Sequence, residues 1–352
     1  MKTPLALTAS QVISGERLPK RAIATNRFSD LPLPSGWFRI ACSKELRPGK
    51  VRAIRYFNKD FVLFRTQDGV PYLLDAYCPH LGAHLGYGGK VNGETLQCPF
   101  HGWTFSGEGR CVDVPYSEGS SRTRVKEWPL TERHGFILMY YHPRATPPTW
   151  EIPALPECKD TKWIPFQRRT WSIRTHPQEI VENGIDTAHF PHLHTHSFHD
   201  LKSDAMEIAG PVMIHKLVPE YNISIPGFPD LSKKIESSME VTHYGLGCQV
   251  GRSAIKIQNL QLKFLVLAWV TPVDTDSIEI ELAISMESIL SKRLTALLAR
   301  KVVLDDLAKA LAQDIPILEN KIYRQSPVLC DGDGPIHKYR KWAQQFYVDR
   351  AD

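Results

Sequence analysis

No apolar run in this 352-residue sequence is long enough to cross a bilayer: the longest, LQLKFLVLAWV at 260–270, is short and Lys263 interrupts it. The opening MKTPLALTASQVISG has one early lysine and too weak an apolar core for a secretory signal, so a cytoplasmic protein without a membrane span is expected. Basic runs interleaved with aromatics are missing too. The 43 Lys and Arg are scattered among 38 Asp and Glu, and a net charge of +5 leaves nucleic acid no electrostatic footprint. Cysteines number only seven, an odd count dispersed along the chain, which argues against a disulfide scaffold and leaves metal ligation or reduced thiols. There is no internal repeat and no glycine-rich dinucleotide fingerprint.

What is present is ordinary globular composition in a length that suggests about two domains. From 36 to 144 the chain reads as short strands punctuated by turns, VRAIRYF, DFVLFRT, VPYLLDAY and GFILMYY among them. The stretch HPRATPPTWEIPALPE at 142–157 has five prolines and no period, and marks a connection. Beyond it a helix is expected from Pro177 to about Ala188, then irregular sequence to about 240. Strands KFLVLAWV and SIEIELAISM follow, and a long helical stretch from about Ser291 to Tyr323. The expected class is α+β: an N-terminal extension over 1–35, an all-β domain over 36–144 and an α+β domain over 145–352.

The all-β segment contains CPHLGAHLGYGGKVNGETLQCPFHGWTF at 78–105. It reads as Cys78-x-His80, seventeen residues, then Cys98-x-x-His101. Structural zinc sites usually pair Cys with Cys in one loop and His with His elsewhere. Here each loop offers one of each, so each can give its Cys to one iron and its His to the other, as in a Rieske [2Fe–2S] cluster. The glycines at 82, 86, 88, 89 and 102 suit loops that bend sharply around bridging sulfides. His84 falls outside the pattern and reads as a loop surface residue.

A second constellation lies in VENGIDTAHFPHLHTHSFH at 181–199. Asn183, Asp186 and His189 are spaced to share one helix face, Pro191 is expected to end that helix, and His194 follows close enough to swing back beside His189. His192 competes with His194 on position alone. Two neutral imidazoles ask for a carboxylate to complete an iron(II) site of two His and one acid. In DDLAKALAQDIPILENKIY, Leu307, Leu311 and Leu318 define an apolar helical face on which Asp314 is the misplaced acid. Pro316 is expected to kink that helix.

These features resemble the oxygenase component of the Rieske non-haem iron oxygenases, from about Gly36 to Asp349. The chain is most similar to 3-ketosteroid 9α-hydroxylase oxygenases and sterol 7-desaturases through LDAYCPHLG (74–82), CPFHGWTFSGEGRCVDVPY (98–116), DTAHF (186–190), QDIPILENK (313–321) and DGPIHKYRKWAQQFYVD (333–349). The resemblance implies a Rieske domain followed by a helix-grip catalytic domain with an antiparallel sheet. It implies Cys78, His80, Cys98 and His101 on the cluster, and His189, His194 and Asp314 on a mononuclear Fe(2+). Asp186 would link the two centres across the interface of a homotrimer, through a cluster histidine such as His101, with Asn183 beside it. A separate NAD(P)H-dependent reductase or ferredoxin supplies electrons, and O2 is used to hydroxylate or desaturate a C–H bond of an apolar, steroid-like polycycle. The apolar segments at 206–218 and 221–228 fall where related enzymes build pocket walls. The alternatives are a Rieske monooxygenase that hydroxylates or demethylates a non-steroid natural product, and a non-catalytic Rieske electron carrier.

Overall fold

A computed structural model describes residues 27–28, 31–118, 122–194, 198–221, 236–257, 260–289 and 291–348. The first part consists of strands β1 (Gly36–Cys42), β2 (Val51–Tyr56), β3 (Lys59–Arg65), β4 (Pro71–Asp75), β5 (Lys90–Asn92), β6 (Thr95–Gln97), β7 (Thr104–Phe105), β8 (Cys111–Asp113), β9 (Leu130–Arg133) and β10 (Phe136–Tyr141). They form three antiparallel sheets, β1-β10-β9, β2-β3-β4 and β5-β6-β7-β8. The β2–β3 register is set by a two-residue turn in which Phe57 and Asn58 both take left-handed φ values of 53° and 59°. Such turns match the natural strand twist. Asn tolerates that backbone; Phe57 is held there by burial and by its ring stacking on Tyr141 at 4.0 Å.

The second part is one seven-stranded antiparallel sheet, β11 (Gln167–Ile173), β12 (Phe198–Ala209), β13 (Val212–Tyr221), β14 (Glu236–Tyr244), β15 (Cys248–Ile257), β16 (Leu260–Pro272) and β17 (Ile278–Met286), in the order β11-β17-β16-β15-β14-β13-β12. Helices α1 (Pro177–Ile185) and α2 (Phe190–Leu193) follow β11. After β17 come α3 (Lys292–Leu298), a π-helical stretch Ala299–Leu304, α4 (Asp305–Leu318) and α5 (Ile336–Ala343). Side chains alternate across a strand, and β16 shows the consequence. Leu265, Leu267 and Trp269 pack with Trp37, Leu138 and Tyr140 of the first sheet, while Phe264, Val266 and Val270 pack with Ala299, Leu304 and Leu318 of the helical layer. Strand β16 is thus packed on both faces, which explains its apolar run FLVLAWV.

Three expectations change. The stretch 198–240, expected to be irregular, contains the β12–β13 hairpin turning at Gly210 and the start of β14; its strands carry polar residues because one side of them faces away from the helices. Residues 222–235, which include most of the 221–228 segment, lie outside the described residues. The helical stretch after Ser291 runs without a break through α3, the π-helical turn and α4, and ends at Leu318 rather than Tyr323. Pro316 sits in the last turn of α4, where it cannot donate to the carbonyl four residues back, yet the helix runs two residues past it.

The two parts share a tight seam. Arg39 of β1 is buried against Glu281 and reaches Glu279 at 2.6 Å, and Trp37 donates through Nε1 to the carbonyl of Trp150 at 2.7 Å. Gly247 lies here, where an added Cβ would stand 2.2 Å from the Trp37 carbonyl oxygen and 2.6 Å from the Phe38 ring. Gly247→Ala should therefore cost about 1–3 kcal/mol and lower the Tm by several degrees in thermal unfolding. Gly184→Ala on α1, where a Cβ meets nothing within 4 Å, serves as the control that holds or raises it. At the N-terminal side, Arg27 donates to the carbonyls of Leu318, Glu319 and Arg174, which ties the segment before β1 to the second part; residues 1–26 of the expected extension lie outside the described residues.

Candidate metal centres

Two loops, one between β4 and β5 and one between β6 and β7, repeat one hydrogen-bond pattern. Cys78 N donates to Ala83 O and Gly82 N to Cys78 O; Cys98 N donates to Trp103 O and Gly102 N to Cys98 O. Gly82 and Gly102 close these loops at φ 75° and 76°, a left-handed conformation that favours glycine. The loops bring the sequence-predicted residues together: Cys78 and Cys98 are buried facing each other, and the rings of His80 and His101 stand 4.7 Å apart by centroid. Trp103 stacks on His80 at 4.7 Å and donates to the Tyr116 hydroxyl at 2.7 Å. Burial and the neighbouring Cys98 sulfur push the Cys78 thiol up to about 11, against a backbone hydrogen bond near His80. Such a buried sulfur pair becomes thiolate when a cation replaces the protons.

The residues fit a [2Fe–2S] group. His101 Nδ1 is buried without a partner. His84 is half-buried rather than a surface residue: its Nδ1 accepts from Gly86 N at 3.0 Å and its ring sits between Tyr77 and Tyr87.

The second centre is built where α1 gives way to α2. Helix α1 ends at Ile185, and Asp186 is its extended C-cap residue at φ −69° and ψ 101°, so Asp186 does not share a helix face with His189 as expected. A turn does the work: Asp186 Oδ1 accepts from Ala188 N at 3.0 Å, and Oδ2 comes within 3.5 Å of His189 Nδ1. Pro191 does not end a helix either. It lies in the first turn of α2, where a residue without an N–H is at home, and α2 delivers His194 back beside His189 with centroids 5.1 Å apart. Asp314 arrives from α4, on the buried face it shares with Ala308 and Leu318.

Among the described residues, His189, His194 and Asp314 alone bring three ligand atoms within 4.8 Å of one another. Asp314 Oδ1 lies 3.1 Å from His194 Nε2 and 3.9 Å from His189 Nε2. Yet Asp314 Oδ1 and both His189 nitrogens have no aligned hydrogen-bond partner; the groups point at a common place rather than at each other. Burial opposes protonation of His194, but Asp314 and Gln313 outweigh it and raise its pKa. Burial likewise opposes ionisation of Asp186, and the His189 ring with the backbone N–H groups outweighs it, so its pKa is lowered. This donor set fits iron(II). His192 is exposed and takes no part; Asn183 stays half-buried on α1.

Sequence reasoning missed Gln313, whose Oε1 lies 3.0 Å from His194 Nδ1 and fixes that ring. It also missed the reason for the DGPIHKYRKW motif. Arg340 of α5 pairs with both oxygens of Glu182 at 2.7 Å, and Tyr339 donates to Gln178 O at 2.7 Å, clamping α1. Gly334, at φ 77°, lies where a Cβ would be 2.8 Å from Ile185 O, at the end of α1 beside Asp186.

Residues 36–129 match the Rieske [2Fe-2S] domain family, and residues 139–347 match the family described as 3-ketosteroid 9alpha-hydroxylase C-terminal domain. The chain is 32% identical to cholesterol 7-desaturase of Drosophila melanogaster over 342 residues, 91% of this chain and 76% of that protein. It is 30% identical to a 3-ketosteroid-9-alpha-monooxygenase oxygenase component of Rhodococcus rhodochrous over 326 residues, 90% and 84% respectively. Its fold matches dicamba monooxygenase bound to dicamba with a TM-score of 0.67 at 18% identity, covering 88% of this chain and 96% of that one. It also matches NdmA of Pseudomonas putida CBB5 with caffeine, with a TM-score of 0.70 at 20% identity over 88% and 89%.

Proposed function

The chain belongs to the Rieske oxygenases with a 3-ketosteroid 9α-hydroxylase C-terminal domain, and from that premise we propose that it is a terminal oxygenase that hydroxylates or desaturates a C–H bond of an apolar, steroid-like polycycle. It is an oxidoreductase with a [2Fe–2S] cluster and a mononuclear iron, supplied with electrons by a reductase or ferredoxin and using O2. The convergence of His189, His194 and Asp314, with unpartnered ligand atoms, behind a Rieske domain carries the proposal. An electron carrier has no use for it.

In this reading Cys78 and Cys98 would hold one iron of the cluster, His80 and His101 the other, and His189, His194 and Asp314 would hold the mononuclear iron. The metals supply stepwise electron transfer and oxygen activation. The chain's own side chains position and insulate. Gln313 orients His194, Asp186 orients His189, and the apolar face of α4 excludes water. Tyr77, Leu81, Tyr87, Phe100 and Tyr116, all 52–72% exposed, surround the cluster loops as an apolar collar that favours a covering surface. This supports a homotrimer in which one chain's cluster meets the next chain's iron, with Asp186 between them. No helix among the described residues is long and apolar enough to cross a membrane; the seven free cysteines support a reducing, cytoplasmic setting.

The test is turnover with a surrogate reductase, followed by mass spectrometry, on steroid-like ketones and alcohols, small aromatic acids and methylated alkaloid-like compounds. A polycycle should gain one oxygen or lose two hydrogens. Turnover confined to the acids or the methylated compounds would overturn the substrate class.

A further inference from the structure

The helix-facing side of the large sheet carries polar groups with nothing to bind. His243 of β14 pairs in register with Met213 of β13 on one side and Gln249 of β15 on the other, and His215 lies two residues along from Met213. Strand alternation therefore puts His215, His243 and Gln249 on one face. Met213 on that face packs with Val181 and Ile185 of α1, the helix that leads into Asp186 and His189. His215 and His243 are 0% and 1% exposed. Nonetheless His215 Nδ1, both nitrogens of His243 and Gln249 Nε2 have no hydrogen-bond partner; only His215 Nε2 is engaged, with Ser203 Oγ at 2.9 Å. Leaving a buried polar atom unpaired is unfavourable, so four such atoms on one face mark a place that a ligand completes.

We propose, resting on the steroid-like reading above, that His215, His243 and Gln249 form a polar subsite that binds a neutral oxygen substituent, a ketone or hydroxyl, of the otherwise apolar substrate. The chemistry of the three groups selects that class. Burial holds His215 down to about 4 and His243 down to about 3, so both rings are neutral, each with one donor and one acceptor. The Gln249 amide adds a donor. No side chain other than the neighbouring His215 imidazole acts electrostatically on either ring. The charges of these strands, Lys216, Glu240 and Arg252, pair in register on the opposite face. A carboxylate or ammonium group would be buried there without a counter-ion, at high cost. Val241, Gly251 and Val266 are aligned in register on the same face, and a Cβ on Gly251 would meet only Val266, at 3.6 Å. Glycine inside a strand often marks the close approach of a ligand.

The experiment measures binding by calorimetry to the iron-loaded full chain. The ligands are a tetracyclic ketone, its deoxy analogue and a carboxylate of the same ring system, with wild type, Gln249→Leu and His243→Leu as proteins. Wild type should bind the ketone at least about 10-fold more tightly than the deoxy compound, and the ratio should fall towards one in both variants at unchanged iron content. An equal ratio in wild type and variants, no preference in wild type, or preference for the carboxylate would overturn the subsite while leaving the steroid-like reading standing. Failure of every polycycle to bind would overturn both. Gln249 is only half-buried, so Gln249→Leu decides the matter even if His243→Leu does not fold.

Discussion

Asp314→Ala should lose the mononuclear iron and keep the visible Rieske spectrum, with iron content falling from about three to about two atoms per chain. Asp314 is the carboxylate of the three-residue group, and without it two neutral imidazoles face an iron(II) that favours an anionic oxygen donor. Turnover should drop to background. Metal-free stability moves the other way or not at all. A buried carboxylate with an unpartnered oxygen is a burden until a cation arrives. Added iron(II) should therefore raise the Tm of the wild type by mass action and leave that of Asp314→Ala unchanged. His101→Ala gives the converse pattern, a lost cluster spectrum with the iron site still loaded. Turnover and full iron content in Asp314→Ala would sink the proposed ligand set.

Asp186→Asn should leave both metal centres loaded and lower product formation by about 100-fold. The substitution keeps size and shape. It removes the charge that approaches His189 Nδ1 at 3.5 Å, where the carboxylate is held ionised by the ring and by backbone N–H groups. A merely structural acid would instead show its loss in iron content or Tm. The proposed role across chains has its own test: co-expression of Cys78→Ala, without a cluster, and His189→Ala, without the iron site, each inactive alone. Mixed trimers should recover partial activity because an intact cluster meets an intact iron at some interfaces. Well-formed mixed trimers without activity would place electron transfer within one chain and remove Asp186 from that role.

The candidate cluster residues were legible because each loop is local: Cys78 and His80, then Cys98 and His101, are close in sequence, and Gly82 and Gly102 announce the turns. The apolar period of α4 likewise exposed Asp314 as an acid on a buried face. Strand alternation and proline punctuation set the division into a β-rich first part and a mixed second part. What needed three dimensions was everything held by distant partners. The end of α1 at Ile185 depends on Gly334, about 150 residues away, closing against its last carbonyl. Gln313 acts on His194 only because α4 packs beside α2. The polar face of His215, His243 and Gln249 exists only once three strands align in register. Local spacing encodes bonds within a turn or a loop, whereas register and helix packing are settled by burial of the whole sheet, which no single stretch of residues contains.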